Sequence, residues 1–261
     1  MRALFTAATG MEAQQVRIDT IANNLANVGT TAFKKGRAEF QDLFYEMLSA
    51  PGATAATGEQ LPTGVQVGHG SRLSAVSAIY TQGERVNTGK DLDLAVDGDG
   101  FFQVERPGGE TVYTRDGTFK RDSQGNLVTS AGYAVLPQIQ IPSNAIQITI
   151  LADGTVSALQ PGNIQPTVLG QLNLARFANP AGLRQLGGNL LAPTEASGDP
   201  ELGDPDREGF GAISQGFLES SNVNVAEELV NMILAQRAFE LNSRVIQTGD
   251  EMLQVAGSLS R

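Results

Sequence analysis

One histidine and one knot of carboxylates are the places where this 261-residue sequence could do chemistry. His69 stands in "GHGS", two residues before Ser71. A His–Ser pair serves acyl transfer when the imidazole takes the hydroxyl proton and an acid orients the ring. Residues two apart in an extended segment point roughly the same way, so contact is open to this pair. No nucleophile elbow or orienting acid can be identified beside it, and a solvated loop histidine is the better reading. The carboxylates Asp91, Asp93, Asp97 and Asp99 lie in "DLDLAVDGDGFF". A calcium loop of the EF-hand type needs oxygen ligands at its first, third and fifth positions and Glu at its twelfth. Counted from Asp91, the fifth is Ala95 and the twelfth Phe102; counted from Asp97, they are Phe101 and Gly108. Both registers fail, so the segment reads as a strand and turn with solvated acids. The glycines are scattered as turns, with no phosphate loop or dinucleotide fingerprint. Paired acids for glycoside hydrolysis stay open, although the lack of Trp disfavours a sugar-stacking groove. No catalytic residue, metal site or cofactor is expected.

Composition narrows the classes further. The net charge is −10. Residues 46–221 hold nineteen acidic and ten basic residues, so nearly all the excess lies in the middle and the ends are almost neutral. Nucleic acid needs a basic face, so it is not an expected partner. With no cysteine there is neither a disulfide framework nor a thiolate metal site. This suits a cytosolic protein, or one exported unfolded. No run of about 18 apolar residues exists, so membrane insertion is not expected. The N-terminal "MRALFTAATGMEAQQ" mimics a signal peptide, but it is too polar and its periodicity continues into a long helix.

The elements that would have to position any site are of two kinds. Residues 2–28 predict an amphipathic helix with a heptad seam at Leu4, Ala8, Met11, Gln15, Ile18, Ala22 and Leu25. Gly29 is the expected left-handed stop. Residues 222–258 predict a longer helix, capped by Asn224 with Glu227 three residues on. It carries two apolar stripes. One runs through Val225, Leu229, Met232, Gln236, Phe239, Ser243, Ile246, Asp250 and Leu253; the other through Leu234, Ala238, Leu241, Val245, Thr248, Met252 and Val255. At 1.5 Å per residue the helices span about 40 and 55 Å. A helix apolar on two faces must be covered on two sides. Between them, alternation and turn pairs predict strands at 100–105, 111–115, 118–121, 126–130, 145–159 (a hairpin around Asp153-Gly154) and 167–177. The expected fold is therefore α+β. The terminal helices, 1–30 and 222–261, pair as a coiled-coil-like core. The segments 31–75 and 205–221 connect them to an antiparallel β-rich domain at 76–204. Within the first connection, residues 46–63 read as a loose extension.

The stretch "DTIANNLANVGTTAFKK" (19–35) resembles the N-terminal signature of the bacterial flagellar axial proteins, those of rod and hook. The family usually has Gly before the aromatic, where this chain has Ala32 before Phe33. Residues 215–256 and 91–137 resemble the family's C-terminal and central segments, and the three motifs in order cover nearly the whole chain. The C-terminal stretch, with "SNVNVAEELVNMI", is most similar to the distal rod members. The resemblance implies a structural, non-enzymatic subunit of a helical tube that carries torque across the periplasm and conducts exported subunits. It implies export through the flagellar type III apparatus without a cleaved signal peptide. The implied partners are further copies in a helical homo-polymer, proximal rod proteins, the hook protein and the surrounding basal-body rings. Residues 46–63 would then be a rod-type extension between subunits.

The expected assembly interface is Leu4, Met11, Ile18, Asn23, Leu25 and Asn27 on the first helix. On the second it is Leu229, Met232, Phe239, Leu241, Val245, Ile246, Met252 and Leu253. Asn23 and Asn27, one turn apart beside the seam, could fix register between subunits without the desolvation cost of a charge. As a lone pair the helices bury little, so they are expected to be largely unfolded before assembly. The alternative is a cell-wall polysaccharide-binding or adhesin module carried on a helical oligomerisation stalk.

Overall fold

A computed structural model describes residues 2–50, 63–162 and 165–259. The chain forms two compact units. The first is made of Met1–Ala26, Gly36–Ala78 and Asn224–Arg261, and the second of Asn27–Lys35 and Ile79–Val223. The class is α+β, with a helix at each end of the chain and an antiparallel β-rich middle.

In the first unit, α1 runs Arg2–Ala26 and α2 runs Val225–Leu259. Asn224 caps α2 as its sequence position predicts: its Oδ1 accepts from the amides of Ala226 at 3.0 Å and Glu227 at 3.3 Å. The rest of the unit is one long nested hairpin. Strand β1 (Gly36–Asp42) pairs antiparallel with β4 (Ser71–Ala78), with a bulge at Glu39/Phe40. Strand β2 (Tyr45–Ser49) continues the hairpin against β3 (Val65–Gly68). The segment read as a connection therefore contains four strands, and 46–49 is paired backbone rather than a loose extension. Tyr45-Glu46-Met47 alternates apolar and polar before Leu48 breaks the pattern, a signal too short to stand out against the small residues that follow. The remainder of the 46–63 extension, 51–62, lies outside the described residues.

In the second unit a nine-stranded sheet is built around Phe101–Glu105. That strand pairs with Thr111–Thr114 on one side and with Ala134–Leu136 and Leu174–Arg176 on the other. A three-stranded sheet joins Gln147–Ile150, Thr155–Leu159 and Thr167–Gln171. The core gathers Leu94, Val96, Phe102, Phe119, Val135, Ile141, Leu172 and Leu174. Phe102 and Phe119 meet edge to face at 5.0 Å. The predicted strands all appear, with 167–177 broken at Leu172. Asp93 departs from expectation: it is buried and accepts the Thr88 hydroxyl at 2.6 Å. Asp97 is held by Arg85 at 2.5 Å. His69, in the first unit, places Nδ1 3.0 Å from the Phe44 carbonyl oxygen.

Candidate assembly interface

Helix α1 turns inward a face that steps by three and then four: Leu4, Ala7, Met11, Gln14, Ile18, Ile21 and Leu25. The heptad read from sequence used the opposite order, so Ala8, Gln15 and Ala22, expected on the seam, are exposed. Both orders share every seventh position, and Leu4, Met11, Ile18 and Leu25 are half-buried as either would have them. Ile21 against Ala22 was the one size difference that could have chosen between them.

Helix α2 shows the same shift. Its inward face is Glu228, Met232, Ala235, Phe239, Asn242, Ile246 and Gly249, while Leu229, Gln236 and Asp250 from the first expected stripe are exposed. The two helices run antiparallel. Gly249 lies against Leu4, where an added Cβ would come 2.5 Å from Leu4 Cδ2. Gly10 lies against Asn242, where a Cβ would come 2.8 Å from Nδ2. Glycine at these two crossings lets the backbones approach.

Among the described residues, nothing covers the second apolar stripe of α2. Leu234, Leu241, Val245, Met252 and Val255 are between 48% and 64% exposed. Leu229, Val230, Ile233 and Leu253 widen the patch. The fourteen expected interface residues thus divide. Leu4, Met11, Ile18, Leu25, Met232, Phe239 and Ile246 are half-buried within the unit. Leu229, Leu241, Val245, Met252 and Leu253 face outward, as does Asn23. Asn27 is half-buried at the end of α1, its Oδ1 accepting the Thr30 hydroxyl and its carbonyl accepting the Thr30 amide, both at 3.1 Å.

The asparagine that sequence reasoning passed over is Asn24. It is buried; its Nδ2 donates to the Gly36 carbonyl at 2.9 Å and to Glu228 at 3.2 Å, and its Oδ1 accepts from the Gly36 amide at 2.8 Å. One neutral amide thereby ties α1, the start of β1 and the first turn of α2. Donor and acceptor on one side chain are what this junction needs.

A second group sequence reasoning missed lies in the other unit. Glu219 is buried and accepts from Lys34 Nζ at 2.5 Å, Arg115 Nε at 2.9 Å and the Gly83 amide at 2.9 Å. Lys34 also donates to the Thr81 carbonyl at 2.8 Å, and the Arg115 guanidinium to the carbonyls of Gly98 and Gly100. Burial works against the charge on Glu219, but Arg115 and then Lys34 outweigh it and hold the carboxyl below its ordinary range. Burial draws the Lys34 ammonium below its usual value, with Glu219 opposing. The lock clamps 27–35 onto the β-rich unit, helped by Asn222, whose amide bridges the Lys35 amide and the carbonyls of Ile79 and Thr81. Ala32, not Gly29, takes the left-handed conformation, at φ 56°. Its amide donates to the Glu219 carbonyl at 2.8 Å.

Three family models match this chain in order. The flagella basal body rod protein family matches residues 4–34, the D1 domain of flagellar hook protein FlgE/F/G residues 95–158, and the C-terminal region of flagellar basal body rod FlgEFG proteins residues 214–259. The flagellar basal-body rod protein FlgG of Borreliella burgdorferi is 51% identical over 263 residues, covering 100% of this chain and 99% of the relative. That of Agrobacterium fabrum is 47% identical, covering 98% of each chain. That of Bacillus subtilis is 39% identical, covering 100% of each. These matches lend nothing to the polysaccharide-binding alternative. The chain belongs to the flagellar basal-body rod protein FlgG family, whose members are structural proteins of the bacterial flagellar basal body and not enzymes.

Proposed function

We propose that the chain is a subunit of the bacterial flagellar distal rod, polymerising through its terminal helices into a hollow helical tube. The tube transmits torque across the periplasm and conducts exported subunits. The observation that carries this is the uncovered stripe Leu234–Leu241–Val245–Met252–Val255 on α2. Each aliphatic side chain in it would gain about 1.5–3 kcal/mol on full burial. An apolar strip of this length is a liability on a lone subunit and a contact surface in a filament. In this reading, the half-buried faces of α1 and α2 form a coiled-coil-like pair within one subunit. Leu229, Leu241, Val245, Met252, Leu253 and Asn23 meet neighbouring copies. The helices form the assembly core. Residues 46–63 serve as a spacer between subunits. Proximal rod proteins, the hook protein and the basal-body rings are the further partners. The absence of cysteine suits export in an unfolded state by the flagellar type III apparatus, without a cleaved signal peptide.

The test is Leu241→Asp with Val245→Asp in the full chain. Both sites are exposed, so folding should change by no more than about 0.5 kcal/mol, whereas tube formation, read by electron microscopy and sedimentation, should be lost. Tubes that still form from the double variant would count against the stripe as the contact.

A further inference from the structure

The β-rich unit carries a cleft of about 690 Å³ that assembly through the helices leaves unused. Leu92, Phe119 and Ile146 give it apolar walls, and Lys90, Lys120 and Arg121 line it with exposed cations. Ile146 is 68% exposed. Three of the ten basic residues of 46–221 thus meet at one place in a region with nineteen acids. None of the three is in a salt bridge with a described residue; Arg121 reaches only the Pro142 carbonyl, at 3.4 Å. Of the acids beside them, Asp93 is buried and accepts the Thr88 hydroxyl, leaving Asp91 as the one exposed opposing charge.

We propose that this cleft receives the acidic edge strand of a neighbouring copy, Glu201–Gly203 together with the loop after it. The inference rests on the rod reading and adds a second contact to it. Strand Glu201–Gly203 pairs only with Leu174–Arg176, so its other edge is open among the described residues. Leu202 stands 55% exposed between Glu201 and Asp204, with Asp206 and Glu208 following. Glu201 is held by Arg176 at 2.8 Å and Asp204 faces Arg207 at 4.0 Å, so the surplus charge comes from Asp206 and Glu208. An exposed Leu among carboxylates matches an apolar cleft among cations. A copy cannot fill its own cleft. Strand Gln147–Ile150 lines the cleft with Ile148 and ends in the turn at 151–154, where Gly154 packs against Pro205 in the acidic loop. The turn lies roughly 10 Å beyond the cleft along that strand. Two different patches meeting head to tail make an open-ended array rather than a closed dimer.

Because the chain has no cysteine, Lys120→Cys with Asp204→Cys confines every disulfide to these two positions, and either substitution alone can link copies no further than a dimer. Oxidised tubes of this full-length variant should run as a ladder of covalent multimers on a non-reducing gel, and dilute monomer should not. Lys120→Glu with Arg121→Glu should raise the concentration needed for polymerisation about tenfold. Asp204→Lys with Asp206→Lys should bring it back. Tubes that give no ladder, or a charge reversal that the compensating pair does not rescue, would overturn the proposal and give the cleft to another occupant. If the wild-type chain forms no tubes at all, the rod reading itself falls, which separates the two failures.

Discussion

In the β-rich unit the largest fully buried side chains include Phe102, Leu94, Ile141, Leu172 and Leu174; among the described residues of the helical unit the buried apolar ones are Ile21 and the alanines 7, 13 and 235. The exposed residues reverse the contrast. Phe44, between β1 and β2, is 91% exposed, with Tyr45, Met47, Leu48 and Val65 uncovered beside it and the α2 stripe uncovered as well. Burial of large side chains supplies most folding free energy, while ordering each residue costs about 1–2 kcal/mol of backbone entropy. The β-rich unit meets that cost from its own core. The helical unit keeps much of its apolar surface uncovered by the described residues, and in the proposed filament neighbouring copies would cover it. On that proposal one chain joins a part that is complete alone to a part that its neighbours complete.

The largest effect that would sharpen this contrast lies in the β-rich unit. Glu219→Gln removes the one anion between Lys34 and Arg115 and leaves two buried cations facing each other. Breaking a buried pair in this way costs about 3–5 kcal/mol, a fall in melting temperature of roughly 10 °C for a unit of this size by calorimetry. A loss below about 1 kcal/mol would mean the lock contributes little. The pH dependence has a definite sign. Since the folded carboxyl of Glu219 is held below its ordinary range, the folded state binds its proton less readily than the unfolded state. Its stabilisation is complete above the unfolded value of about 4.3 and is lost as pH falls through the lower folded value. Wild type and variant should therefore converge in stability in acid and diverge at neutrality.

Next in size is the gradient between the units in the monomer. Amides of α1 and α2 should exchange with solvent at least about tenfold faster than those of Phe101–Glu105, because they open without global unfolding. Strong, equal protection in a confirmed monomer would break the comparison. Asn24→Leu should widen the gap. It strips the Gly36 amide and carbonyl of their partner, at a cost of about 1–3 kcal/mol, and should speed exchange in α1 while leaving the β-rich unit unmoved.

How much of this was legible follows from which signals are local. Turn pairs such as Asp116-Gly117 and alternation such as Phe101–Glu105 announce their strands within a few residues, and those strands are present. The capped start of α2 is equally local. The phase of the first helix was hard to read, because Ala7 and Ala8 weigh alike, as do Gln14 and Gln15, and Ile21 against Ala22 alone separates the two orders. The buried lock was invisible for a stronger reason: Lys34, Arg115 and Glu219 are brought together across as many as 185 residues. Lys and Glu taken singly read as surface residues. Asn24 could have been found, since among Asn23, Asn24 and Asn27 it alone falls beside the Ile21–Leu25 face once the helix phase is right.

The smallest effect concerns Ala32, on the segment clamped by Lys34. Its left-handed backbone costs a residue with a Cβ about 1–2 kcal/mol, and Ala32→Gly would release that strain. Against the gain stand about 0.5–1 kcal/mol of extra chain entropy lost by glycine on folding and about 0.8 kcal/mol for the buried methyl. The terms nearly cancel, so Ala32→Gly should move unfolding by no more than about 0.5 kcal/mol in either direction. Ala32→Val keeps the strain and adds a β-branched side chain where none is readily adopted, and should cost clearly more. Calorimetry of the two variants reads the difference directly. A large loss in Ala32→Gly would mean that the methyl's packing, and not the lock around Glu219, holds this turn in place. Near neutrality would show that the surrounding hydrogen bonds impose the left-handed turn on whichever small residue stands there.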